Sequence, residues 1–157
     1  MRLAFPTLCG LILLGAGCAS GGLRPSYQPF PQARVDTVNA LPAAVIQELT
    51  ARVNEQNMRP QWTSPDEGFL ETQWFNLVTQ VSGVTDRGNP ERIVLLRFWA
   101  DPIEGGKTRL TSEAIIQRGG RDPSALPRDN EMLVPQGHAG ENILRRVVAG
   151  VQERFGR

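Results

Sequence analysis

The chain has 157 residues, about the size of one domain, and its 17 basic and 16 acidic side chains give a formal net charge of +1. This balance argues against nucleic-acid binding and against a polybasic membrane patch, since both need concentrated positive charge. Both cysteines lie near the N-terminus and the chain has one histidine, so we expect no disulfide framework, no Cys- or His-based metal site and no cofactor.

The N-terminus has the pattern of an export signal. Arg2 is followed by an apolar run from Leu3 to Leu14, and small residues then lead to Cys18. The apolar run is shorter than the roughly 20 residues that a bilayer-spanning helix needs. The alternatives at this point are an ordinary secretory signal, cleaved at an Ala-x-Ala-like site, and a buried helix.

The stretch from Leu11 to Cys18 resembles a bacterial lipoprotein signal that ends in a lipobox, because Ala16 and Gly17 precede the cysteine. The resemblance implies a signal peptide over residues 1–17 and lipidation of Cys18, as the first residue of a mature chain of 140 residues (157 − 17). Ala19 follows in place of aspartate, which is similar to lipoproteins of the outer membrane. The implied location is therefore the outer membrane, lipid-anchored, with the domain facing the periplasm.

Residues 18–33 are rich in proline and glycine. Three prolines within seven residues, Pro25, Pro29 and Pro31, favour an extended polyproline-type chain over a helix. We interpret this segment as a tether that holds the domain up to roughly 40 Å from the membrane. The alternative is a binding strip with Tyr27 and Phe30 as its anchors.

Two amphipathic helices are predicted within the remaining domain, residues 34–157. The first runs from Pro42 to Gln56, with Asn39 as a candidate cap, and the second from Gly140 to Phe155. Each has apolar residues at three- and four-residue spacing, which is typical of a helix with one buried stripe: Val45, Ile46, Leu49 and Val53 in the first, and Ile143, Leu144, Val147, Val148 and Val151 in the second.

The strands are predicted from alternation and turn residues. Arg34–Val38 is a short candidate strand, and the stronger ones are Met58–Thr63, Phe69–Leu77, Arg92–Ala100 and Lys107–Gln117. The element order predicts an α+β fold, a two-layer sandwich with a four-stranded antiparallel sheet and two helices on one face. The stretch 118–137 is predicted to be a long loop that is either functional or mobile.

No motif in the domain predicts a reaction. His138 is the only histidine, and its place before a helix is typical of a cap or a surface residue. The acidic pairs Asp66-Glu67 and Asp129 with Glu131 lie in turn-like stretches that favour solvated roles. We therefore expect a protein that is not an enzyme.

Aromatic residues on the strands suggest a binding surface. Tryptophans on three strands are expected chiefly to pack the two faces of the sheet. The alternative interpretation places Trp99, Phe75 and Phe69 together on the face that the helices leave open, with Arg97 beside them. Such an exposed aromatic surface would suit a protein partner, a peptide or an amphiphile.

The element order over residues 35–156 resembles a single BamC-like helix-grip module, the unit of an accessory lipoprotein of the outer-membrane β-barrel assembly machinery. It is also similar to the lipopolysaccharide-assembly lipoprotein LptE, which places helices on a four-stranded sheet. The resemblance implies a non-enzymatic envelope lipoprotein that binds or scaffolds an envelope protein in outer-membrane assembly. The alternative function is a periplasmic carrier of a lipid or small apolar ligand, which would need an empty apolar cavity between sheet and helices.

Overall fold

The computed structural model describes residues 22, 24–85, 89, 91–118 and 127–156. The predicted signal peptide and Cys18 lie outside these residues. The described part has an α+β fold with two helices and a large antiparallel sheet, as predicted. In chain order its elements are β1 (Arg34–Val38), α1 (Pro42–Glu55), β2 (Pro60–Ser64), β3 (Phe69–Thr72), β4 (Phe75–Asn76), β5 (Val81–Ser82), β6 (Ile93–Ile103), β7 (Lys107–Gln117), β8 (Glu131–Leu133) and α2 (Ala139–Phe155).

The sheet has eight strands within the described ranges, so the predicted number of four is wrong. Its main path runs β1-β7-β6-β3-β2. Outside this path, β4 pairs with both β6 and β5, and β8 pairs with β7. Four strands exceed the predicted count. One is β1, which the sequence offers as a short candidate. The others, β4, β5 and β8, have two or three residues each, too few for an alternating pattern to stand out in the sequence. β8 and a 3₁₀ turn at Pro127–Asn130 occupy part of the predicted loop, and residues 119–126 of that loop lie outside the described residues.

A bulge interrupts the strand that the sequence predicts from Phe69 to Leu77. Glu71 pairs with Arg97, whereas Phe75 pairs with Val94, so four residue steps on one strand oppose three on the other. One extra residue reverses the side to which every later side chain points. Phe75 therefore joins the core on the helix side and Trp74 a smaller apolar cluster on the other side, the reverse of the predicted alternation.

Both helices pack on the same face of the sheet. Their predicted apolar stripes are buried together with one face of the central strands, notably Val94, Leu96 and Phe98 of β6. α1 begins at Pro42 as predicted, but its N-cap is Leu41 and not Asn39, because the residue before a proline is held in an extended conformation. No helix in the described ranges is long and apolar enough to cross a bilayer.

Candidate functional site

Residues 24–30, here called the N-terminal strap, lie on the sheet face opposite the helices. The Arg24 guanidinium forms an ion pair with Asp101 at 2.6 Å. The backbone N–H of Arg24 donates to the Glu67 carboxylate at 2.8 Å. At the other end of the strap, the Phe30 N–H donates to Glu113 Oε1 at 2.5 Å. This part of the predicted tether is therefore bonded to the domain along its length.

Three residues of the strap contact the domain through their side chains, and they are three positions apart: Arg24, Tyr27 and Phe30. The Phe30 ring lies 3.7 Å from the Arg128 guanidinium of the 3₁₀ turn. A polyproline-type chain has three residues per turn, so this spacing places the side chains on one side of the segment. The Tyr27 ring packs edge-on against Trp99, with 6.5 Å between the ring centroids. The spacing of these residues is the sequence signal that identifies the strap, and the tether interpretation overlooks it.

An ionic cluster lies beneath the strap, formed by Arg97, Arg128, Glu71, Glu113 and Glu131. Arg97 Nε donates to Glu71 at 2.5 Å, and its terminal nitrogens donate to the two oxygens of Glu131 at 3.0 and 3.3 Å. Arg128 donates to both oxygens of Glu113 at 3.1 Å. Three carboxylates and two guanidiniums leave the cluster with a formal charge of −1.

Strand register assembles the centre of this cluster. Glu71, Arg97 and Glu113 are direct cross-strand neighbours on β3, β6 and β7, and their side chains share the face away from the helices. Arg97 is 2% exposed and Glu113 is fully buried. Charges this deeply buried are tolerated only where they are paired and hydrogen-bonded. Arg128 from the 3₁₀ turn and Glu131 from β8 complete that pairing.

The environment of the cluster shifts three pKa values. Burial raises the pKa of Tyr27 to about 12, an effect that Arg97 partly opposes and Glu71 reinforces. Burial also raises the pKa of Glu71, although the positive charge of Arg97 works against this. For Arg97, burial disfavours the charged form, but the hydrogen bonds to Glu131 and the charge of Glu71 outweigh it and raise its pKa.

The candidate partner surface from the sequence is only partly assembled. Trp99, Phe69 and Arg97 do come together on the open face, and the rings of Phe69 and Trp99 are 5.7 Å apart. Phe75 lies on the opposite face because of the bulge. All four side chains are buried, so in this structure they do not form the exposed aromatic surface that the sequence suggests. The strap covers Trp99 and Arg97.

A cleft of about 390 Å³ adjoins the strap on the same face, and we call it the sheet-face cleft. Tyr27, Trp62 and Trp74 line it, and Arg97 and Glu71 of the ionic cluster reach it. Trp62 on the edge strand β2 is 46% exposed, whereas Trp74 is buried. The accessible aromatic residue of this face is therefore Trp62, which the sequence groups with the packing tryptophans.

The other sequence candidates have structural roles. His138 is the N-cap of α2, because its Nδ1 accepts a hydrogen bond from the Gly140 N–H at 3.0 Å, as expected of a cap. Glu67 binds the strap, and Glu131 is buried in the ionic cluster, contrary to its predicted solvated role. Among the described residues, no group of three or more His, Cys, Asp or Glu side chains is placed to hold a metal ion.

No known protein family matches this chain, and no curated protein is significantly similar to it.

Proposed function

We propose that this chain is a lipid-anchored protein of the bacterial cell envelope that acts by binding, as an accessory or scaffold in outer-membrane assembly. Cys18 carries the lipid, and the domain faces the periplasm. The lipobox pattern supports the anchor, and two helices on one face of an antiparallel sheet agree with the proposed likeness to a helix-grip module. The docked strap, with an aromatic cleft beside it, is the observation that carries the binding role.

The strap limits how far an anchored domain can lie from the membrane. It begins at Arg24, which is bonded to Glu67 and Asp101 at the end of the sheet where β2 turns into β3. Only six residue steps separate Cys18 from Arg24, and an extended chain covers at most about 3.6 Å per residue. Arg24 would thus stay within about 20 Å of the lipidated residue, half the reach that a free tether would give.

The sheet-face cleft is the proposed partner site. An exposed tryptophan beside a cleft with charged groups in its base is the kind of anchor that protein interfaces use, since aromatic and arginine side chains contribute most of their binding energy. Trp62 has nearly half of its surface free for such a contact. The partner is an envelope protein that presents an extended or protruding segment to this cleft.

A photo-crosslinking amino acid tests this proposal. At position 62 we expect crosslinks to a component of an outer-membrane assembly machinery, and at Gln47, exposed on α1, we expect none. Replacing Cys18 by alanine should remove both palmitate labelling and the crosslink, while Cys9→Ala should leave both unchanged. Equal crosslinking at the two positions would contradict the partner site, and labelling that survives Cys18→Ala would contradict the anchor.

One observation favours the carrier of a lipid or small apolar ligand as a second candidate. Buried side chains fill the space between the sheet and the helices, where a carrier was expected to have its cavity. A cleft of about 500 Å³ instead opens at the edge of β7, next to α2. This volume lies within the range of about 300–1,000 Å³ that small-molecule sites occupy.

A further inference from the structure

The cleft at the edge of β7, here called the edge cleft, is a gap between two partner strands. β1 pairs with β7 at Thr108–Ser112 and β8 pairs with it at Ile115–Gln117. The Val134 N–H extends the second pairing by donating to the Ala114 carbonyl at 2.9 Å, so the two partner strands separate between Ser112 and Ala114. The cleft opens at this gap and is bounded on one side by Leu144 in the first turns of α2. It is separate from the sheet-face cleft, with which it shares no lining residue.

The edge cleft has an apolar lining and one unsatisfied polar atom. Ala114, Val134 and Leu144 supply apolar surface. Ser112 also lines the cleft and is 1% exposed, and its hydroxyl has no hydrogen-bond partner among the described residues. A buried polar group without a partner costs about 1–3 kcal/mol, which a ligand with an acceptor at this point would recover.

Three arginines line the edge cleft. Arg34 is the cross-strand partner of Ser112, and Arg145 and Arg118 also line the cleft. The two carboxylates that pair with these guanidiniums are Asp36, 2.6 Å from Arg34, and Glu141, 2.5 Å from Arg145. These two pairs use only part of the five N–H donors of each guanidinium. The remaining donors suit an anionic ligand at this end of the cleft.

We propose that the edge cleft binds a single-chain fatty acid, with its carboxylate accepting a hydrogen bond from Ser112 and its acyl chain on the apolar lining. The carboxylate lies at the Ser112 end, because a charge-assisted bond to a buried hydroxyl contributes more than an exposed ion pair with Arg118. Arg118 is just beyond the end of β7, six residues and roughly 20 Å along the strand from Ser112. This inference rests on the carrier function proposed above and names its ligand class.

Calorimetric titration with decanoate tests the site. A chain that begins at Ala19 retains every described element and has no lipidated cysteine, so no anchor acyl chain competes. We expect one decanoate per chain, weaker binding of decanol, and no saturable binding of decyltrimethylammonium. Each methylene added between octanoate and decanoate should raise the affinity about three- to fourfold, the ratio expected for a buried methylene group.

Two variants locate the carboxylate. Ser112→Ala should weaken decanoate binding about tenfold or more while leaving the stability of the chain unchanged or higher, because the hydroxyl has no partner to lose. Arg118→Gln, at the far end of the same cleft, is the matched control and should change the affinity less than twofold. Unchanged binding in Ser112→Ala, a larger effect in Arg118→Gln, or equal affinity for decanol would overturn the inference. If the chain without substitutions does not bind decanoate but is crosslinked to a partner through position 62, the carrier function is refuted and the scaffold function stands.

Discussion

At the scale of single residues, Arg97 holds together the sheet face that the strap covers. It is nearly fully buried, bonds to Glu71 and Glu131, and lies 3.7 Å from the carboxylate of Glu113. The Arg97 guanidinium also lies 5.1 Å from the centre of the Tyr27 ring, within the range of a cation–π contact. One side chain thus links three strands to the N-terminal segment.

Substitutions at Arg97 and Glu71 should change the stability of the chain to different extents. Arg97→Met should lower the free energy of unfolding by about 3–5 kcal/mol, because it leaves buried carboxylates without their partner. Glu71→Gln should cost far less, since the amide oxygen still accepts the bond from Arg97 Nε and the buried negative charge is removed. Urea unfolding at neutral pH measures both values.

The pH dependence of Glu71→Gln provides the control for this comparison. The pKa of Glu71 is raised in the folded state, so the folded chain favours the protonated form. The stability that the raised pKa of Glu71 contributes is fully present below the ordinary carboxyl pKa. It is lost as the pH rises through the raised pKa. The wild-type chain should therefore lose stability across that interval relative to Glu71→Gln. A difference that stays constant with pH would show that burial does not raise the pKa of Glu71. An Arg97→Met variant as stable as the wild type would show that the cluster is not paired as described.

At the scale of secondary-structure elements, the start of α2 depends on a histidine side chain. His138 satisfies one of the free N–H groups of the first turn through its Nδ1, and Glu141 accepts from the Gly137 N–H at 2.8 Å. We expect His138→Ala to destabilise the chain by about 1 kcal/mol, and His138→Asn to retain most of the stability, because asparagine is a strong N-cap. Thermal unfolding measures the difference, and equal losses in the two variants would argue against capping.

The helices show what local patterns can predict. The predicted ranges of α1 and α2 differ from the observed ones by one residue each, because an apolar stripe of helical period needs a long run of residues and stands out in the sequence. The bulge before Phe75 leaves no such mark. One extra residue moves the side chains that follow it to the other face of the sheet, and only the pairing of Phe75 with Val94 shows that the residue is present.

The candidate site was less predictable than the fold, because long-range pairing assembles it. Glu131 and Arg97 are 34 residues apart and meet only because β8 extends the pairing of β7. The strap is an intermediate case. Its three-residue spacing is visible in the sequence, but only the structure shows that the open face of the sheet is the surface to which it binds.

At the scale of the whole molecule, the strap turns a proposed spacer into part of the folded unit. The N-terminal segment, the ionic cluster and the sheet face form one continuous contact, since Arg128 also donates to the Gln28 carbonyl at 3.1 Å. A lipid anchor at Cys18 would consequently limit how far the Arg24 end of the domain can lie from the membrane. The sheet-face cleft would then be offered to a partner close to the bilayer.

Titration of Tyr27 tests the docked strap most directly, because it is the only tyrosine of the chain. Its absorbance near 295 nm reports ionisation without overlap from another phenol, and circular dichroism recorded at each pH shows whether the chain is still folded. A docked strap predicts a pKa of about 12 in the folded chain and the ordinary value near 10 in urea. A raised pKa also means that the folded state loses stability as the pH rises from 10 towards 12. A midpoint near 10 in the folded chain would show that Tyr27 is in solvent, and it would contradict the docking of the strap.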